Sequence, residues 1–245
     1  MRVSKLIITL LTWVIVSLGM IWAFGEGTLM RENRLFTGYQ ISIQQPDNQI
    51  FIIPFDLYNT LDSFNLFGDS VLVEEINIGL LEEILREHPH ILDAEVFSTW
   101  EGLLKINLTQ KSAIARMINE KKMNYLDKNG NLFPLSDHAS DKLPVLTGFE
   151  DSTSRLEALK FLENFFKHEA FPNGVSSIHR DENGNYTLNP EWHSHEILWG
   201  KPDFFDDKAH KANATYAYLL QNNDIDKLSK LDLRFKGQVV YKLKN

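Results

Sequence analysis

A chain of 245 residues, 43% hydrophobic and 24% charged, has globular composition and room for one large domain or two smaller ones. Its formal net charge of -8, pI near 5.5 and lack of any Lys/Arg cluster exclude nucleic acid as a partner, because a nucleic-acid binder presents a basic face. There is no cysteine, so disulfides and a thiol nucleophile are ruled out and the fold must rest on apolar cores alone.

Residues 6–25, LIITLLTWVIVSLGMIWAFG, carry no charge. At about 1.5 Å per residue a helix of that length crosses the roughly 30 Å of a bilayer core, which predicts a transmembrane helix. Arg2, Lys5 and the amino terminus precede it, whereas Glu26, Arg31, Glu32 and Arg34 beyond it cancel, so the positive-inside bias puts the 1–5 tail in the cytoplasm and exports the body. Ala23-Phe24-Gly25 also fits the cleavage site of a secretion signal, but the apolar run exceeds the ~7 to 15 residues of a signal core, which favours an uncleaved anchor.

Residues 26–37 read as a spacer. Tyr39, Ile41 and Ile43 then alternate with polar residues, predicting a strand, and Pro54 suits the first position of a short helix carrying Leu57, Leu61 and Phe64. Asn77 can cap a second helix with a Leu80, Leu81, Ile84, Leu85 stripe that His88-Pro89 ends. Leu92, Ala94 and Val96, then Leu104, Ile106 and Leu108, predict a hairpin. The unit reads β-α-α-β-β over 38–110.

Residues 111–245 read as a strand-rich α+β domain. Asn129-Gly130 and Asn183-Gly184 each suit a tight hairpin turn. Between them Ser154-x-x-Glu157 predicts a capping box ahead of a helix with a Leu156, Leu159, Phe161, Leu162, Phe165, Phe166 stripe. HEILWGK predicts a strand, and Ala209, Ala212, Tyr216 and Leu219 a third amphipathic helix. The chain then runs into LDLRFKGQVVYKLKN, where Leu231, Leu233 and Phe235, and after a turn Val239, Tyr241 and Leu243, alternate as in a half-buried hairpin. That last strand has no sequence after it to supply a neighbour.

Catalytic signals are weak. His88/His90 and His193/His195 are two-ligand pairs with no third donor at metal spacing, and read as surface histidines. DKNGN and DENGN place glycine fourth, not sixth as a calcium loop requires, and read as turns. No nucleophile elbow, phosphate-binding glycine loop or dinucleotide fingerprint is present. Asn107, Asn185 and Asn213 head Asn-x-Thr sequons that read as chance, two of them in or beside strands. Trp100, Trp192 and Trp199 suit packing better than sugar stacking.

The order of motifs carries a resemblance. LLEEILREHPHILDAEVFSTWEGLLKINLTQKSAIARM, a helix ending in His-Pro followed by a hairpin and a basic segment, resembles the FtsQ/DivIB cell-division family. YLDKNGNLFPL with LPVLTGFE, and the late LDLRF, are similar to further signatures of that family in the same order. Ala113 departs from the family's usual proline and Trp199 from its usual leucine. The resemblance implies a single-pass inner-membrane protein with the body in the periplasm at the division septum. It implies a POTRA domain and a β domain, no enzymatic activity, no cofactor, and a scaffold role.

The partners it implies are the coiled-coil proteins FtsB and FtsL, with FtsK as a further partner of the POTRA domain. It implies that an FtsB-type strand adds to the terminal edge, with Phe235, Gly237, Val239, Val240 and Tyr241 at the contact and Arg234 and Lys208 supplying charge. Core packing stays open for Phe235, which shares a face with Leu231 and Leu233, and edge protection accounts for Lys242 and Lys244. Two alternatives stand beside this reading. One is a POTRA-bearing assembly or transport factor. The other is an anchored cell-wall glycosidase, which needs a converging pair of carboxylates, with Glu191 or Asp203, near Trp192 and Trp199, as the candidates.

Overall fold

The computed structural model describes residues 11–22, 34–64, 71–119, 122–138, 142–168, 171 and 174–244. Residues 11–22 form a helix, α1, with Trp13, Ile21 and Trp22 largely exposed. No helix among the described residues is long and apolar enough to cross a membrane. Residues 6–10 and 23–25 of the expected span lie outside the described residues, as do the 1–5 tail and 26–33 of the spacer. The rest divides into two units, residues 1–44 with 52–110, and residues 45–51 with 111–245.

The first unit runs β1 (Gly38–Gln44), α2 (Tyr58–Asp62), α3 (Ile78–Glu87), β2 (Ile91–Ser98) and β3 (Leu103–Gln110), the β-α-α-β-β order expected. Its sheet is ordered β1-β3-β2, β1 parallel and β2 antiparallel to β3. A parallel pair needs a long crossover, and α2 and α3 lie within it. Pro54 opens a single 3-10 turn into α2, where its missing N–H costs nothing. Asn77 caps α3, its Oδ1 accepting from Leu80 N at 3.0 Å. Leu57, Leu61, Leu81 and Leu85 pack over Ala94, Val96, Leu104, Ile106 and Leu108. The α3 stripe is narrower than expected: Leu81 and Leu85, one turn apart, are buried while Leu80 is exposed.

In the second unit nine strands among the described residues lie in the order β12-β11-β10-β9-β8-β7-β4-β5-β6. They are β4 (Ala115–Asn119), β5 (Lys122–Leu126), β6 (Leu132–Pro134), β7 (Val145–Thr147), β8 (Val175–Arg180), β9 (Tyr186–Pro190), β10 (Glu196–Gly200), β11 (Leu228–Asp232) and β12 (Val240–Leu243). Strand register lines up Met117, Leu146, Ile178, Leu188, Ile197 and Leu231 as one buried row across six strands. Two helices, α4 (Ser152–Lys167) and α5 (Phe205–Gln221), add Phe161, Leu162, Phe165, Ala212, Tyr216 and Leu219 to the same core. Phe161 sits edge-on to Tyr186 and Trp199, with ring centroids 5.0 and 5.3 Å apart.

Several expectations change here. The α4 cap is Asp151, not Ser154: Asp151 Oδ1 accepts from Ser154 N at 2.9 Å and Ser154 Oγ donates to Asp151 O. A carboxylate accepts the first-turn N–H in a charge-assisted bond and favours the positive end of the helix dipole. Leu156 and Phe166 fall outside the stripe of Ala158, Phe161, Leu162 and Phe165, and are exposed. His90 and His195 are buried rather than superficial. No group of three or more metal-ligating side chains occurs among the described residues. The DKNGN and DENGN turns share one device: Asp127 and Asp181 each accept, through Oδ1, the backbone N–H four residues on, and through Oδ2 the side-chain amide of that same asparagine.

Residues 45–51, between β1 and the Pro54 turn, belong to the second unit. Gln49 forms a two-bond pair with the Ala113 backbone, Nε2 to O at 2.7 Å and N to Oε1 at 2.8 Å, and Ser112 Oγ donates to Asp47. Phe51 is 1% exposed, its ring 4.6 Å from that of Tyr125 and 5.7 Å from that of Phe133.

Two outcomes follow from this packing. Phe51→Ala removes a fully buried ring and lowers the stability of the second unit by about 3 kcal/mol. Urea unfolding followed by tryptophan fluorescence measures it, because Trp192 and Trp199 lie in that unit's core region. The second concerns His195, whose Nε2 is 2.8 Å from the Tyr216 hydroxyl. Burial pushes its pKa down from 6.5 to about 4. The unfolded state therefore binds the proton first, and stability falls as pH drops from about 6.5 towards about 4, by roughly 2–3 kcal/mol. Denaturation of His195→Gln across that range shows a flatter pH dependence than the wild type.

Candidate functional site

β11 does not continue to Phe235 as the alternation predicts; it ends at Asp232. Leu233 is still buried and its N–H donates to Leu198 O at 3.0 Å, but the next residue turns away. The cause is Asp232, which is itself buried. Its Oδ1 accepts from Arg234 N at 3.1 Å and Nε at 2.9 Å, and its Oδ2 from Nη2 at 2.6 Å. A carboxylate that takes the backbone N–H two residues on makes an Asx-type turn, which competes with the strand. Burial raises the Asp232 pKa, but the Arg234 hydrogen bonds outweigh it and hold the carboxyl below its ordinary range. The same bond raises the Arg234 guanidinium. Gly200, at φ +73°, gives this arginine room: a Cβ there would meet Arg234 Cγ at 2.9 Å.

Beyond the turn a cleft of about 430 Å³ opens between the start of α5 and residues 233–236. Trp199 and Leu233 contribute apolar lining, and Phe204 and Phe235 are exposed at 76% and 44%. Lys201, Lys208, Lys211, Arg234 and Lys236 outnumber Asp203 and Asp207 around it. Lys208 is buried, with Nζ donating to Lys201 O at 2.6 Å and Asp203 Oδ1 at 2.9 Å, and lies 5.9 Å from the Trp199 ring centre. Its charge is thus spent within the fold. Lys211 ties the loop to α5, with Nζ reaching Phe235 O at 3.0 Å and Asp207 Oδ2 at 2.9 Å.

The chain then returns as β12, which ends the nine-stranded sheet with β11 as its one strand neighbour among the described residues. Lys244 N donates to Lys227 O, and Lys242 O accepts from Ser229 Oγ at 2.9 Å, so alternate residues face β11 and the backbone groups of Tyr241 and Leu243 point outward. Tyr241 extends the buried row of the sheet by one strand and remains 40% exposed. It shares a groove of about 290 Å³ with Gly237, Val239, Thr215 and Tyr218. Val240 lies opposite Asp232 and is 49% exposed. The sheet's other end is β6, three residues closed by Pro134, which cannot donate a backbone bond.

Arg234, Phe235 and Lys208 therefore meet in one cleft, and Gly237, Val239 and Tyr241 in the adjoining groove. Sequence reasoning missed Phe204 and Lys211. Phe204 precedes α5 in the left-handed conformation, φ 49° and ψ 43°. The Phe204-Phe205 pair was the available signal, since successive helix-start residues cannot both face the core. Asp203 lines the cleft while Glu191 lines two other cavities, so these two carboxylates share none of them.

Residues 112–241, more than half of the chain, match the family model described as FtsQ/DivIB, C-terminal related. Residues 36–109 match the model of a POTRA-like domain. No curated protein matches the chain.

The Asp232–Arg234 pair makes a measurable contribution. Asp232→Ala and Arg234→Ala each destabilise the second unit by about 1 kcal/mol, a modest figure because the arginine is half exposed. In the double variant the two losses fall short of additive by roughly 0.5–1 kcal/mol, measured by a double-mutant cycle in urea.

Proposed function

The chain belongs to the FtsQ/DivIB, C-terminal related family and carries a POTRA-like domain, which gives it a role in cell division, and from that premise we propose that it is a non-enzymatic, membrane-anchored scaffold of the division machinery that docks its partner by strand addition at β12. The observation that carries this reading is the sheet edge itself. Tyr241 and Leu243 turn backbone donors and acceptors outward, beside exposed Phe235, Val240 and Tyr241. Backbone bonds of that kind supply affinity, and pockets for alternate side chains supply register.

The partner is an FtsB-type segment, with FtsL associated through it. An extended segment paired with Tyr241 and Leu243 brings its side chains to the Tyr241–Tyr218 groove on one face and to Val240 on the other. The cationic cleft beyond favours acidic residues near its end. Residues 6–25 anchor the body to the inner membrane as a single span, with the 1–5 tail in the cytoplasm and the folded units on the periplasmic side at the septum. The POTRA-like unit serves a second contact, of which FtsK is the expected type.

The test uses the full chain in detergent micelles against FtsB- and FtsL-type ectodomains. Tyr241→Pro removes one outward N–H while leaving the bonds to β11, and it abolishes binding. Tyr241→Val, which keeps that N–H, weakens binding less. Phe235→Ala weakens it by about tenfold, in the range of an exposed aromatic anchor. Wild-type affinity in Tyr241→Pro, with circular dichroism unchanged, places docking elsewhere.

A further inference from the structure

β2 ends the sheet of the first unit. Thr99 N donates to Leu103 O at 2.8 Å, so by alternation Phe97 and Glu95 face β3 and the backbone groups of Val96 and Ala94 face away from it. Three of those four outward groups are occupied by side chains. Glu82 Oε1 accepts from Val96 N at 2.7 Å, and Arg86 Nη2 donates to Ala94 O. Asp93 Oδ1 accepts from Ala94 N at 2.9 Å and from Arg86 Nε at 3.0 Å, which steadies the guanidinium. Glu82 and Arg86 are one turn apart on α3. An i,i+4 pair rises about 6 Å along a helix, and outward positions recur about every 6.8 Å along a strand, so one helix face can serve two of them.

We propose that Glu82 and Arg86 act as a surrogate strand, an autoinhibitory contact that closes the β2 edge of the POTRA-like unit to extended peptides. An incoming strand offers neutral carbonyls and amides. It must displace a carboxylate and a guanidinium, whose bonds to the same groups are charge-assisted. The contact lies wholly in the first unit and stands or falls independently of docking at β12.

The probe is a fluorescein-labelled peptide copying β3, residues 103–110, an extended segment that pairs with β2 on its other side. Full-length wild type, Glu82→Ala, Glu82→Gln, Arg86→Ala and the E82A/R86A double variant are compared in micelles. In Glu82→Ala the Val96 amide exchanges with solvent at least tenfold faster, while Glu95 and Phe97 keep their wild-type rates. Glu82→Gln, which retains an acceptor oxygen, restores slow exchange at Val96. By fluorescence anisotropy the peptide binds the double variant and not the wild type. Should the double variant lose protection at Glu95 and Phe97 and so be unfolded, Arg86→Ala alone reads the same binding. Unchanged Val96 exchange in Glu82→Ala, equal peptide binding to wild type and folded variant, or binding to neither overturns the proposal.

Discussion

An open β-sheet ends in two rows of backbone donors and acceptors with no strand beside them, and every such row must be blunted, covered or used. Three different solutions appear in this chain. β6 is blunted by its three-residue length and by Pro134. β2 is covered by Glu82 and Arg86 of α3. β12 is neither: of its outward positions Tyr241 is exposed and Leu243 is partly buried, and neither is a proline. Of these three edges, β12 is the one with neither a proline nor a charged side chain bonded across its outward positions among the described residues.

The shape of that edge is fixed from within. The row from Met117 to Leu231 holds six strands in register, and Tyr241 is its next position. Slipping β12 by one residue would bring Val240 or Lys242 to the helix-facing side in place of Tyr241. Asp232 does the remaining work by drawing Arg234 back on itself, so that residues 233–236 border the cleft and Phe235 is exposed. Gly200 and Lys211, both distant in sequence from that turn, make it possible from the two sides.

Much of this was legible in the residues. The stripe of α5, the Leu81 and Leu85 part of the α3 stripe, the Asn77 cap and the Asn-Gly turns follow from local periodicity and local hydrogen bonding, which a sequence displays directly. The cap of α4 was misplaced by three residues because Ser154-x-x-Glu157 satisfies a pattern that Asp151 satisfies more strongly. Phe235 was placed on one face with Leu233 because alternation continues on paper. The carboxylate of Asp232 ends it in space, and no periodicity reports which of two competing acceptors an N–H will choose. Phe204 was missed for a related reason, since its exposure depends on a left-handed backbone at a position where helix starts ordinarily place a capping side chain. The Glu82–Arg86 cover was also unreadable, because an i,i+4 Glu/Arg pair is the commonest kind of solvated helix surface.

The segment Gln45–Phe51 bears on how such a chain can be inherited. Gln49 and Phe51 are seated against Ala113, Tyr125 and Phe133, yet they are encoded between β1 and α2 of the first unit. A recombination event that cut the coding sequence at residue 110 would hand the second unit to a new neighbour without seven of its residues, Gln49 and the buried Phe51 among them. No single cut in the sequence therefore separates the two units, and a graft of the second has to carry residues 45–51 with it.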